Sequence, residues 1–171
     1  SASNTTLTAG DTIDGGSGSD TLTVASAATA TFGGFTVKNV ETASFAASGG
    51  ASTVDMLNVT GATTVAATGS SQNVTFSNIN DLPTVKLANN SAGNVTFGNL
   101  AGDVTGTADA QTLELVSTTN GTVTIASVET LNVSNSGTTT VTTLTTTAAT
   151  TLNLTGSGDL TLTNIDDAVE T

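Results

Sequence analysis

A short repeated motif limits what this chain can fold into more than any other feature of its sequence. The motif has the form apolar-Thr-apolar-x-Asn/Ser-apolar and occurs at residues 35–40, 74–79, 95–100, 123–128 and 160–165. The second and third copies begin 21 residues apart, and a Thr-Leu-Asn-Val/Leu motif recurs at the same separation, at 130–133 and 151–154. A chain with such self-similarity is built from repeated structural units.

The repeats have the pattern of β-strands. Apolar residues alternate with Thr, Ser or Asn in short runs such as 122–125, 138–144 and 159–163, which is typical of half-buried strands. Gly and Asn turn signals separate these runs roughly every ten residues. A single coil cannot bury its own inner face, so stacking of coils is required. We therefore predict an all-β fold, a right-handed parallel β-solenoid of about 20 residues per coil.

Two polar features of the repeats each have two interpretations. Asn78, Asn99 and Asn164 occupy matching motif positions, so they either form a hydrogen-bonded ladder between coils or tolerate a bend. The Thr-x-Thr rows at 138–147 have the residue type of an ice-binding face. Because these rows do not recur at one fixed offset along the coils, we interpret them as ordinary exposed threonines on strands.

The composition excludes several kinds of function. The chain of 171 residues has no His, Cys, Trp or Tyr, so it lacks an imidazole base, a thiol nucleophile, an ordinary zinc site and a disulfide. Lys38 and Lys86 are the only basic residues, too few to neutralise a nucleic-acid backbone. No run approaches the ~18 apolar residues of a membrane helix, and we expect no membrane insertion. The sequence therefore predicts that the protein is not an enzyme, and its net charge of -12 favours divalent cations as partners.

One segment carries a recognisable metal-binding pattern. Residues 15–23 match the nonapeptide G-G-x-G-x-D-x-U-x of calcium-binding β-rolls at every specified position. The preceding residues repeat its second half, so that Asp11 aligns with Asp20. The glycines Gly15, Gly16 and Gly18 permit a tight turn that directs carbonyl oxygens at a cation, and calcium binds about six to eight such hard oxygens. The alternative is a Gly/Ser/Asp turn that holds no ion.

The other acidic residues are weaker candidates. Asp103, Asp109 and Asp159 follow glycine- or alanine-containing turns, and we interpret them as solvated turn acids. Glu41 and Glu129 share a Val-Glu-Thr motif, which indicates a repeated structural position and not a catalytic pair. The same tripeptide closes the chain at residues 169–171, and we expect the sequence to be part of a longer protein.

The segment 10–22, followed by a strand and by Val-Lys-Asn-Val-Glu-Thr at 37–42, resembles type I-secreted bacterial S-layer proteins of the RTX kind. The resemblance implies a calcium-stabilised β-solenoid that is secreted by a type I system and forms a two-dimensional lattice on the bacterial cell surface. The resemblance also implies that Asp11, Asp20 and the turn of Gly15, Gly16 and Gly18 are calcium ligands, with Asp14 as a flanking acid.

These observations together predict one continuous domain with a distinctive start. Residues 1–24 would form the RTX-like calcium turn and first coil, and residues 25–171 the remaining solenoid coils. The predicted partners are calcium ions and further copies of the chain. The alternative functions are a repeat segment of a large secreted RTX adhesin or biofilm protein and, less favoured, a solenoid enzyme acting on acidic polysaccharide.

Overall fold

A computed structural model describes residues 2–3 and 7–167. In these residues the chain is all-β and has no helix, and its parallel strands stack as a β-solenoid of about seven turns. The coils are about 21 residues long. The predicted fold class is therefore confirmed.

The strands form three parallel sheets, named here A, B and C. Sheet A contains Ala2–Ser3 (β1), Thr21–Ser26 (β3), Thr42–Ala47 (β6), Thr64–Thr68 (β9), Thr84–Ala88 (β11), Ala110–Val116 (β13), Thr130–Ser136 (β15) and Thr151–Gly156 (β17). Sheet B contains Thr12–Asp14 (β2), Thr36–Lys38 (β5) and Val59–Thr60 (β8). Sheet C contains Ala30–Phe32 (β4), Ser52–Asp55 (β7), Val74–Ile79 (β10), Val95–Asn99 (β12), Thr119–Ile125 (β14), Thr139–Thr146 (β16) and Leu160–Asp167 (β18).

The cross-section of the solenoid changes along its axis. In the first coils the chain passes through sheet B, then A, then C, so the coil has three faces. Sheet B ends with β8, and from β9 onwards the strands alternate between sheets A and C alone. The candidate calcium turn lies in the three-faced part, between β2 and β3. These strands pair in parallel with β5 and β6, so the coil that contains the turn stacks directly on the next coil.

The repeated motif marks the register of sheet C. The first three residues of the copies that begin at Val74, Val95 and Val123 pair with one another across β10, β12 and β14, and the register of β10 and β12 shifts after Phe76. The copy at 35–40 lies on sheet B, and the copy at 160–165 is shifted in register, with Leu160 opposite Thr139. The motif therefore identifies strands correctly, but it does not occupy one position in every coil.

Inward-facing apolar residues stack along the axis and form the core. The phenylalanines illustrate the stacking, with ring centroids 6.0 Å apart for Phe32 and Phe45, 5.7 Å for Phe45 and Phe76, and 5.2 Å for Phe76 and Phe97. These four side chains are at most 2% exposed. Aromatic stacking of this kind adds to the free energy of area burial.

One threonine from each sheet C strand between β4 and β16 forms a column of exposed or half-buried side chains. The column consists of Thr31, Thr53, Thr75, Thr96, Thr124 and Thr145, each paired with the next. Thr96 and Thr124 are 28 residues apart in sequence yet lie opposite each other. Insertions in the corners change the sequence offset between coils without changing the strand register.

A ladder of hydrogen bonds runs inside the solenoid at the corner between sheets A and C. The backbone N–H of Ala47 donates to Ser70 Oγ at 3.1 Å, that of Ser70 to Asn90 Oδ1 at 2.8 Å, and that of Asn90 to Thr118 Oγ1 at 3.3 Å. Ser70, Asn90 and Thr118 are all buried. Each buried side-chain oxygen thus satisfies a backbone donor of the preceding coil.

Candidate calcium site

The glycine turn forms the corner between sheets B and A, and the matching corner of the next coil packs against it. Gly15 N–H donates to the carbonyl oxygen of Lys38 at 3.0 Å, and Thr42 N–H donates to that of Asp20 at 3.1 Å. A Cβ atom at Gly15 would collide with the carbonyl oxygen of Asn39 and lie 2.9 Å from Asp20 Cβ. Glycine is therefore required at position 15 by the close approach of the two coils.

Asp14 is engaged by donors of the protein. Its carboxylate lies 3.1 Å from Lys38 Nζ and accepts hydrogen bonds from the Asn39 side-chain amide at 2.8 Å and from Gly16 N–H at 3.1 Å. The hydrogen bond from Asn39, followed by those from Lys38 and Gly16, lowers the pKa of the Asp14 carboxyl below its ordinary value. Asp14 therefore stabilises the corner through its contacts with the neighbouring coil.

Asp11 closes a local turn. Its Oδ2 atom accepts hydrogen bonds from Thr8 N–H at 2.7 Å and from Thr8 Oγ1 at 3.1 Å. Its carbonyl oxygen accepts Thr36 N–H of the next coil at 2.8 Å. Asp11 thus makes a turn contact that needs no cation.

Asp20 differs from the other two acids. Its Oδ2 atom is buried and has no hydrogen-bond partner. A Cβ atom at Gly18 would lie 3.9 Å from this oxygen, so the glycine turn borders it. Asp20 N–H donates to Glu41 Oε2 at 2.7 Å, which places a second carboxylate at the same corner. A buried carboxylate oxygen without a hydrogen-bond partner is unfavourable, and a bound cation would supply the missing partner.

The predicted ligands do not converge into one cluster of carboxylates. In the part of the chain that the structure describes, no group of three or more acidic side chains is close enough to hold a metal ion together. A carboxylate oxygen such as Asp20 Oδ2 and the backbone carbonyls of a glycine turn are hard ligands of the type that calcium binds. The carboxylates of Asp11 and Asp14 are already bound by the protein. Calcium binding at this turn stays a prediction.

The contact between Asp14 and Asn39 is repeated elsewhere in the solenoid. Asn78 donates its side-chain amide to Asp55 at 2.8 Å, and Asp55 accepts Leu57 N–H at 3.1 Å, as Asp14 accepts Gly16 N–H. Asn39 and Asn78 both have left-handed backbones, with φ of 53° and 56°. Asn is one of the few residues that adopt this conformation readily.

This repeat decides between the two interpretations of the motif asparagines. Asn78 adopts a left-handed backbone at a bend. Asn99 exchanges side-chain hydrogen bonds with Gln111, at 2.9 and 3.2 Å, so Asn78 and Asn99 do not form a hydrogen-bonded ladder. A direct amide contact between coils occurs instead at Asn132 and Asn153, 2.9 Å apart. The aligned Thr-Leu-Asn motifs at 130–133 and 151–154 would have been the correct signal for it.

The weaker acids make structural contacts at corners. Asp103 accepts Asp81 N–H at 2.8 Å, and Asp109 accepts Gly106 N–H at 3.1 Å. Glu129 accepts Asp109 N–H at 2.9 Å, as Glu41 accepts Asp20 N–H. The two Val-Glu-Thr motifs therefore occupy equivalent corner positions, as the sequence indicated, and the third copy lies outside the described residues.

The described residues include a small cavity and an open groove. The small cavity, of about 10 Å³, lies where sheet B ends and is lined by residues that include Met56, Val59 and Asn80. The open groove lies at the last described coil, against Leu154, Leu160, Leu162 and Ile165.

Within residues 2–3 and 7–167, no helix has the length and apolar character that crossing a bilayer requires. Comparisons with protein families, curated proteins and solved structures find no match for this chain.

Proposed function

We propose that this protein is a structural module of the bacterial cell surface, a solenoid that binds calcium and associates with copies of itself into a two-dimensional S-layer lattice. It would be extracellular and secreted by a type I system. The proposal on location rests on the sequence of residues 10–42. The proposal on calcium rests on one structural observation, the buried and unpartnered Oδ2 atom of Asp20 at the joint between two coils.

The charge distribution supports a role for divalent cations. The chain has 14 acidic residues, and both of its lysines already form ion pairs with an acid on a neighbouring coil. Lys38 pairs with Asp14 at 3.1 Å and Lys86 with Glu114 at 3.2 Å. Since a net charge of -12 is self-repelling, cation binding should stabilise the fold and favour packing of one molecule against another.

The chemistry of the chain supports a structural role over catalysis. Without His, Cys or Arg, the groups left for acid–base chemistry are carboxylates and two lysines, both of which form ion pairs. Several of these carboxylates accept hydrogen bonds from the backbone at corners, as Asp11, Asp103 and Asp109 do. We therefore propose that the protein is not an enzyme.

The test is thermal unfolding followed by circular dichroism, in excess calcium and in excess EDTA. The melting temperature should rise with calcium, and an unchanged midpoint would remove calcium from the proposal. Negative-stain microscopy of concentrated protein in calcium should then show ordered sheets. Single extended particles at every calcium concentration would contradict the lattice and favour the adhesin segment.

A further inference from the structure

Glu41 lies at the corner between β5 and β6, one coil beyond Asp20. Its Oε2 atom accepts Asp20 N–H at 2.7 Å, and its carbonyl oxygen accepts the N–H groups of Thr63 and Thr64 of the following coil, both at 2.9 Å. The carboxylate of Glu41 is therefore directed back along the solenoid axis towards the glycine turn, and the backbone that carries it is fixed from the other side.

Two carboxylates from successive coils thus lie at the corner that contains Asp20. One belongs to Asp20 itself, whose Oδ2 atom is buried without a partner beside Gly18. The other, from Glu41, is held to the backbone of the same residue. Both side chains are only partly exposed, so water screens their mutual repulsion incompletely. A divalent cation between them would remove that repulsion and supply the missing partner of Asp20.

We propose that Glu41 is a second carboxylate ligand of the calcium site at Asp20, so that calcium joins the first coil to the next. This inference rests on the proposed function. The nonapeptide pattern does not include Glu41, because the residue belongs to the following coil. A cation with ligands from both coils would hold the coils together directly, which ligands from one turn alone cannot do.

The solenoid contains a matched control for this site. Glu129 accepts Asp109 N–H at 2.9 Å, and its carbonyl oxygen accepts Thr150 and Thr151 N–H at 2.9 and 3.0 Å, as Glu41 does for Thr63 and Thr64. The carboxylate of Asp109, however, already accepts Gly106 N–H at 3.1 Å. The Glu129→Gln variant therefore tests only the structural role that a glutamate plays when it accepts a backbone N–H at the corner.

The experiment compares Glu41→Gln, Glu129→Gln and Asp20→Asn in the full chain. Glutamine keeps an oxygen that can accept the Asp20 N–H, so the corner contact survives while the charge is lost. Calcium chloride is titrated by calorimetry, and melting temperatures are measured in calcium and in EDTA. We expect Glu41→Gln to weaken calcium binding by about tenfold or more, since affinity depends on ligand charge. The calcium-induced rise in melting temperature should shrink to match, while Glu129→Gln behaves like the wild type.

The outcomes separate this inference from the proposed function. If Asp20→Asn abolishes calcium binding and Glu41→Gln leaves it unchanged, the glycine-turn site stands and the role of Glu41 is wrong. If the wild type binds no calcium, both are wrong. Should Glu41→Gln fail to fold, Glu41→Asp keeps the charge on a side chain one methylene shorter. Weakened calcium binding by Glu41→Asp would support the inference, and wild-type affinity would overturn it.

Discussion

The side-chain amide of Asn80 donates a hydrogen bond to the carbonyl oxygen of Val59 at 3.0 Å. The same amide nitrogen lies 2.9 Å from the carbonyl oxygen of Met56. Val59 belongs to β8, the last strand of sheet B, whose outer edge has no further strand to pair with. The Asn80 side chain therefore bonds to the free edge of sheet B at the point where the solenoid changes from three faces to two. An unprotected strand edge can pair with a strand of another chain.

Replacement of Asn80 by Ala should lower the free energy of unfolding by about 1–3 kcal/mol, because the Val59 carbonyl loses its side-chain donor. Urea denaturation followed by circular dichroism measures the change. Asn58→Ala is the matched control. The Asn58 side chain is exposed in the turn that Asn80 contacts, so its loss should alter stability by less than about 0.5 kcal/mol. Equal effects of the two substitutions would show that Asn80 does not protect the edge.

Phe76 lies at the centre of the stacked phenylalanines and is fully buried. We expect Phe76→Ala to cost about 3–5 kcal/mol of unfolding free energy, since it leaves a cavity between Phe45 and Phe97. Thr75→Ala, one residue earlier on the outer face of β10, should cost far less. A loss below about 1 kcal/mol for Phe76→Ala would mean that the coils close over the cavity.

Gly15→Ala should strongly destabilise the first coils, because the added Cβ would collide with the carbonyl oxygen of Asn39. Gly102→Ala is the control, since nothing lies within 4 Å of a Cβ at that position and its backbone φ is not left-handed. Thermal melts of both variants in EDTA keep calcium out of the comparison. A wild-type melting temperature for Gly15→Ala would show that the corners of neighbouring coils are not in close contact.

Asp14 should make stability depend on pH in the acid range. Its pKa is lower in the folded protein than in the unfolded chain, because Asn39 and then Lys38 and Gly16 bond to the carboxylate. Its contribution is therefore fully present above the ordinary carboxyl pKa of about 4 and is lost as pH falls through the lowered value.

Unfolding free energies of the wild type and Asp14→Asn, measured in EDTA from neutral pH downwards, test this dependence. The advantage of the wild type should be constant above about pH 5, begin to fall near the ordinary carboxyl pKa of about 4, and disappear only below the lowered pKa. Asn39→Ala should show a smaller pH-dependent advantage than the wild type. A difference between wild type and Asp14→Asn that does not vary with pH would contradict the shifted pKa.

The candidate site was only partly readable from the sequence. The nonapeptide pattern located the glycine turn and Asp20, because the spacing of glycines and acids is local information. It could not show that Asp11 bonds to Thr8 and Asp14 to Lys38 and Asn39, since these contacts depend on where the next coil lies. The sequence placed Glu41 in a repeated motif. It could not show that Glu41 contacts Asp20, because the two residues are 21 positions apart and lie on successive coils.

The alternation of apolar residues with Thr, Ser and Asn by itself determined that the chain forms short strands, and the repeat length determined that they stack in coils. Both follow from local periodicity, which sets the face on which each side chain lies. Only the tertiary structure decided the register, as the pairing of Thr96 with Thr124 shows. It also decided the loss of sheet B after β8 and the partners of each acid. These features depend on how much chain each corner absorbs, because coils of unequal length keep their strands aligned through hydrogen bonds between coils and not through a constant sequence spacing.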